Sequence, residues 1–400
     1  MADILKALLQ GIVSFFINPM LYLFLAGLFL FSAQRVKRER RSFHVKAYGM
    51  FNTIFRSLAP SLLAGFFASV VLVALGVSLK PGVFVLLGLC YLVSMLPGQL
   101  RFLSPAIAGG LTAVLAFLCP PLSTPYPLIN QWIAQIRGVD FISLGCFLSV
   151  AALSEALLVL WCGARQTSPR LINSRRGGIV GAHEASQLWI APMLVLYPSA
   201  GSIAAVGPWP FLPHVGSAFG FLIFPVGIGL AQLITHTLPK RAVQTAARWL
   251  VAIAGVLIVC TALALWLRLP FLVPFGGLLA FAARLALVYR AHHLRKTSPF
   301  YFTQPNQGVR IIGVIPHSPG EAMHIQPGEE IISVNDQKIK NEYEFYEALQ
   351  KQPAYCKLMV VDRFGEPRIA KGPIHEGDGH RIGFLFLESD KWNHVESTKA

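Results

Sequence analysis

A chain of 400 residues that is 54% hydrophobic and only 13% charged is too apolar for a soluble domain, where about a quarter of residues are charged. The formal net charge is +15, but residues 1–297 hold 23 Lys and Arg against 5 Asp and Glu, whereas 298–400 hold 11 against 14. The basic excess therefore lies between apolar runs, where it sets membrane topology; no basic patch interleaved with aromatics speaks for nucleic acid, and six scattered Cys without a CxxC exclude a disulfide framework and a thiolate zinc site.

Nine apolar runs follow in chain order, at 14–33, 58–79, 82–97, 103–119, 141–163, 188–206, 216–237, 249–267 and 271–289. About 20 apolar residues cross a hydrocarbon core of about 30 Å. The third and fourth runs are short and Pro19 interrupts the first, so the expectation is eight or nine transmembrane helices. Residues 4–17 are read as an interfacial helix or as part of the first span. The N-terminus lacks a small-residue cleavage site after a short apolar core, so no removed signal peptide is expected.

Every odd-numbered exit is basic: Arg35 to Arg41 after the first run, Arg101 after the third, and Arg165 to Arg176 after the fifth. Lys240, Arg241 and Arg248 follow the seventh, and Arg290, Arg295 and Lys296 the ninth. The connections near 80–81, 120–140, 207–215 and 268–270 carry little positive charge. By the positive-inside rule the basic loops, and with them the C-terminal tail, face the cytoplasm, where they would also attract anionic lipids.

Within the runs, Glu155 is the intramembrane polar candidate. An acid at that depth marks a transport path or a structural partner, and a neighbouring span or a polar residue such as Gln232 could pair with it. Arg284 lies near a basic end and can snorkel. Gly109-Gly110 and Gly276-Gly277 suit close helix packing. Trp249 and Trp266 bracket one span as interface anchors. A zinc protease needs two His one helical turn apart with a Glu beside the first. The nearest approach is His183-Glu184-Ala185-Ser186-Gln187, where Gln replaces the second His, so no metal ligand, catalytic residue or cofactor is assigned.

The polar tail begins with a β-rich run, Val309 to Ile315, broken at Pro316 to Gly320. Glu321 to Ile325 fits one helical turn and Glu330 to Val334 a second strand. Asn335-Asp336 is a two-residue turn, since both tolerate left-handed backbone. Asn341 to Leu349 is an amphipathic helix capped by Asn341, with Tyr346 and Leu349 on its buried face beside Tyr343 or Phe345. Ser318, Pro319, Gly328, Ile331, Val334 and Asn335 match a motif of bacterial PDZ domains, which this tail resembles. It departs at Met323, His324, Ile325, Glu329 and Asp336, and His324 stands where the motif has Gly.

That resemblance implies a small α+β domain that takes a peptide C-terminus as an added strand. Its carboxylate loop would be Arg381, Ile382, Gly383 and Phe384, in the permuted form whose groove strand comes last. The 343–349 helix, with Tyr343 and Tyr346, would form the other wall. The plainer reading of 382–387 is an ordinary core strand. The expected organisation is a polytopic domain over 1–290, a linker over 291–305, the PDZ domain over 306–390 and a polar tail over 391–400.

A multi-span α-helical membrane protein ending in one such domain without a zinc motif, with the stretch HRIGF at 380–384, resembles the MinJ family. The resemblance implies a non-enzymatic scaffold at the septum and poles that links DivIVA to MinC–MinD. Its partners would be DivIVA-like and MinD-like division proteins or peptide C-termini, together with the bilayer and its anionic lipids. An intramembrane metalloprotease relative without an intact zinc site, or a transporter with a regulatory PDZ domain, is the alternative.

Overall fold

The structure is a computed structural model that describes residues 2–43, 50–165, 167–174, 178–204, 209, 211–212, 218–305, 307–316, 318–351, 355–362, 364–373 and 382–387. Nine helices of eleven or more residues form its larger part: α1 (Ala2–Ile17), α2 (Pro19–Phe43), α3 (Met50–Leu75), α4 (Pro81–Met95), α5 (Pro105–Leu118), α6 (Pro127–Arg137), α7 (Phe141–Cys162), α8 (Pro239–Leu267) and α9 (Leu272–Thr297). Their starts are written in the sequence. Pro occupies the first helical position of several, where its missing N–H costs nothing. Ser104 accepts from Ala106 N ahead of α5, and Asp140 accepts from Ile142 N and Ser143 N ahead of α7.

Among the described residues five helices are long and apolar enough to cross a membrane: α2, α3, α7, α8 and α9. The protein is therefore membrane-associated. The centre of the bundle is α7, the most buried of the five, while α3 turns Leu62, Leu63, Phe66 and Phe67 outward, an apolar surface that only lipid covers at low cost. Helices α4 and α5, with 15 and 14 residues, reach about 21–23 Å at about 1.5 Å per residue, short of the core thickness. The paired glycines serve contact as the sequence implied: a Cβ on Gly110 would strike the Gly277 carbonyl between α5 and α9, and one on Gly276 would lie 2.7 Å from Cys260 Cβ.

The runs at 188–206 and 216–237, expected as spans, are strands. With β1 (Thr167–Asn173), strands β2 (Ile179–Ala204) and β3 (Ala218–Ile234) form an antiparallel sheet in the order β1-β2-β3. Proline is part of the reason. An interior Pro costs a helix a hydrogen bond; α3 bears a single one, Pro60, whereas these two runs carry Pro192, Pro198 and Pro225. On β2 the outward N–H groups include Leu194 and Leu196, and on β3 Ile223 and Gly229. Pro192 and Pro198 share the first phase and Pro225 the second, and Pro192 faces Pro225 in register, so no ladder hydrogen bond is lost. The outward donors still need partners, because apolar surroundings leave an unpaired amide costly. Ser69 Oγ takes Leu194 N (2.9 Å), Ser14 Oγ takes Ile223 N (3.3 Å), the Val77 carbonyl takes Leu196 N (3.1 Å) and the Leu103 carbonyl takes Gly229 N (2.7 Å).

The C-terminal unit is a second sheet, in the order β8-β7-β5-β4-β9 with β6 on β5. Its strands are β4 (Val309–Val314), β5 (Glu330–Val334), β6 (Gln337–Lys338), β7 (Tyr355–Val361), β8 (Pro367–Pro373) and β9 (Phe384–Phe386). Two helices, α10 (Pro319–Ala322) and α11 (Glu342–Gln350), complete it. Asn335 and Asp336 have φ of 48° and 66°, as a type I′ hairpin turn requires. Ser318 caps α10 and Asn341 caps α11, accepting Glu344 N at 2.8 Å. The buried face of α11 is Phe345, Ala348 and Leu349 with Tyr346 partly covered, whereas Tyr343 is exposed. His324, where the motif has Gly, sits at φ 54°. Left-handed backbone costs an L-residue about 1–2 kcal/mol, so His324→Gly is expected to stabilise this unit by about 1 kcal/mol, read as slower amide exchange in its strands.

The C-terminal unit is docked on the sheet of the larger part. The segment between α9 and β4 lies along that sheet: Gly181 N donates to the Phe302 carbonyl (2.9 Å), Tyr301 N to the Thr235 carbonyl (2.8 Å), and the fully buried Phe302 ring lies 5.1 Å from His183. His183 Nε2 is 2.8 Å from the Ile312 carbonyl of β4, so this nitrogen carries the proton, and Nδ1 is buried without a partner. Burial pushes the imidazole down to about 4, against a smaller upward pull from Ile312. The sign follows: a depressed His takes its proton more readily when undocked, so docking is strongest at neutral pH and weakens as pH falls from about 6.5 towards about 4. Proteolytic sensitivity near Ser298 to Gln304 is expected to rise across that window; a flat profile would contradict the assignment.

Arg38, Arg101, Arg170, Arg241, Arg290 and Arg295 line one cavity. They come from all five basic exits, so those exits share one end of the assembly.

Candidate peptide groove and buried polar pair

The order of the second sheet makes β9 its terminal strand, paired with β4 through Phe384 on Val314, Leu385 on Gly313 and Phe386 on Ile311. The preceding loop is fixed by its carbonyls. The Ile382 carbonyl accepts Gly320 N (2.8 Å) and the Gly383 carbonyl accepts Ile315 N (2.7 Å). Gly383 has φ 89°, and a Cβ there would run into Ser318, so the position requires Gly. Among the described residues neither the Ile382 nor the Gly383 amide donates to a protein acceptor. A loop with its carbonyls turned inward and its amides unpaired is suited to a carboxylate.

The helix α11 stands against this strand. Phe345 lies 4.9 Å from Phe386 and 6.1 Å from Phe384, and Tyr346 lies 6.3 Å from Phe386. Of the residues expected in the groove, the structure brings together Ile382, Gly383, Phe384 and Tyr346. It leaves Tyr343 on the exposed side of the helix, and Arg381 lies outside the described residues. The motif residues hold the frame rather than the groove. Ile331 and Val334 are fully buried and Ser318 Oγ donates to the Ile315 carbonyl (2.6 Å). Asn335 Oδ1 accepts Lys357 N (2.9 Å), Pro319 opens α10, and Gly328 turns at φ 100°. Phe345 was not singled out as a wall residue by sequence; its signal is its place one turn before Ala348 and Leu349.

Glu155 is 1% exposed and Arg284 5%. Arg284 Nε donates to Glu155 Oε1 (3.1 Å) and Ser104 Oγ to Glu155 Oε2 (2.6 Å), while Arg284 Nη2 reaches the Gly229 carbonyl (3.4 Å). The partner of the buried acid is therefore Arg284, not Gln232, and Arg284 does not extend to the surface. The group ties α7, α9, the cap of α5 and β3 together.

His183, Glu184 and Gln187 lie on a strand, where successive side chains alternate faces, so they do not form the helical ligand pair of a zinc protease. His183 engages Ile312, Glu184 pairs with Arg38 (3.0 Å) and Arg170 (3.1 Å), and Gln187 Nε2 donates to the Cys162 and Gly163 carbonyls, both at 3.2 Å. Among the described residues no cluster of three His, Cys, Asp or Glu could hold a metal.

No family model matches the sequence. Comparison with curated proteins gives 28% identity over 388 residues to the cell division topological determinant MinJ of Bacillus subtilis, covering 96% of each chain. The chain is similar to MinJ along nearly all of its length. Probable MinJ proteins of Lacticaseibacillus paracasei and Lacticaseibacillus casei are 29% identical over 389 residues, covering 95% of this chain and 99% of theirs. The match to MinJ runs through both the membrane helices and the C-terminal sheet, so it concerns the whole architecture rather than one portable domain.

Proposed function

We propose that the chain is a non-enzymatic, multi-pass membrane scaffold in division-site selection. Its C-terminal unit, a PDZ-type domain over 306–390, recruits soluble division proteins by binding a peptide end between β9 and α11. The observation that carries this reading is the similarity to MinJ over 96% of both chains. In this reading the basic end faces the cytoplasm by the positive-inside rule. The partners are DivIVA-like and MinD-like proteins, bridged so as to restrict division-ring assembly to mid-cell from the septum and poles. The physical gain is effective concentration: a polytopic anchor confines partners to a surface, and one cytoplasmic groove raises their local concentration there.

The test is imaging of a fluorescent fusion in dividing cells of its own host, beside a copy truncated after Arg295 and a Gly383→Asp copy. Septal and polar enrichment of the full chain, lost in both variants, is the expected result. Uniform membrane signal from the full chain throughout the cycle would overturn the reading, and enrichment retained by Gly383→Asp would remove the groove from it.

A further inference from the structure

The cavity at the basic end has a volume of about 600 Å³, within the range of small-molecule sites. Its charge is unbalanced. Seven Arg line it with one carboxylate, Glu184. Arg38 and Arg170 are both bound to that carboxylate, and Arg284 is bound to Glu155. Among the described residues Arg101, Arg241, Arg290 and Arg295 have no carboxylate partner. Two further polar atoms of the lining, Arg101 Nε and His236 Nδ1, are buried and unpaired. Four guanidinium groups gathered around a shared recess repel one another, and an anion with several acceptor oxygens relieves that repulsion while satisfying their donors.

The other wall is apolar and belongs to the membrane elements: Phe31 of α2, Leu230 of β3, Trp249 and Leu250 of α8, and Leu287 of α9. Arg290 lies over the Trp249 ring at 5.3 Å, a cation–π contact at the depth where Trp anchors a span. A free anion would leave this wall unused, and an apolar chain alone would leave the guanidinium groups unmatched. We propose that the cavity is a binding site for an anionic phospholipid, its phosphate held by Arg101, Arg241 and Arg290 and its glycerol and upper acyl region against Phe31, Leu250 and Leu287. The site lies apart from the groove of the C-terminal unit and stands whether or not the scaffold reading does.

The test uses the full chain in phosphatidylcholine nanodiscs, with thermal midpoints followed as phosphatidylglycerol is added in steps. A saturable rise in midpoint is expected, with no rise from inorganic phosphate or glycerol 3-phosphate. Hydrogen bonds to charged groups are worth about 1.5–3 kcal/mol, so Arg101→Gln and Arg241→Gln should each weaken the apparent affinity about tenfold or more. Arg268→Gln, at the left-handed end of α8, should leave the response intact. Arg290→Gln, at an exposed position, keeps the readout should a deeper variant fail to fold. The proposal fails if phosphate alone reproduces the shift, which would make this a soluble-anion site. It also fails if Arg268→Gln loses as much as Arg241→Gln, which would make the effect general surface charge, or if Arg241→Gln and Arg290→Gln both respond like the parent.

Discussion

Replacing Arg284 with Met is expected to destabilise the membrane part by about 3–5 kcal/mol, the cost of leaving one member of a buried ion pair without the other. Glu155 would keep only its bond from Ser104 (2.6 Å) and would lose the charge that balances it at a position 1% exposed in the parent. The double variant Glu155→Gln/Arg284→Met should recover most of the loss, because it removes both charges and an amide can still accept from Ser104. Thermal midpoints of the full chain in nanodiscs check this: the order expected is parent, double variant, single variant. If the single variant were as stable as the double, the pair would not hold these helices. If solute flux appeared and was abolished by Glu155→Gln alone, a transport path would replace the structural account.

A second large effect is expected at Phe345. Its ring is fully buried and meets Phe384, Phe386 and Tyr346, so it forms both the core of the C-terminal unit and the floor between α11 and β9. Phe345→Ala removes that volume and should cost about 3–5 kcal/mol. Hydrogen exchange of the full chain is the suitable measurement: peptides over 342–350 and 384–387 should lose protection while those over α7 stay as they are. Tyr343→Ala is the internal control, since Tyr343 is 58% exposed and a surface change of that kind stays within about 0.5 kcal/mol. Equal loss of protection in the two variants would mean that α11 presents a different face to β9.

Most of the local structure was legible. Asn341 was read as a cap because its side-chain oxygen can take an orphan amide, and that chemistry needs no tertiary context; Ser318, Ser104 and Asp140 cap their helices in the same way but were not singled out as caps by sequence. The Asn335-Asp336 turn was legible for the same reason. The strands β2 and β3 were not read as strands, because both faces of the hairpin are covered and a segment buried on both sides shows no alternation. Pro192, Pro198 and Pro225 suit an outward strand position, but they do not decide the matter alone, since α3 carries Pro60 in its interior. For the α11 face, the sequence left open which of Tyr343 and Phe345 turns inward; the structure buries Phe345 and exposes Tyr343, a rotation that the two flanking acids do not fix. The partner of Glu155 was out of reach of local reasoning, since Arg284 is 129 positions away and only packing brings the two together.

The sheet of the larger part has one more consequence. At His183 β2 is bound to the C-terminal unit, and at Leu196 to the segment between α3 and α4; between these points its register with β3 is unbroken. A strand paired along that length bends less readily than a single connecting segment, so β2 couples its two points of attachment. The membrane helices and the C-terminal unit are therefore joined by two routes, the covalent one through α9 and the hydrogen-bonded one through β2.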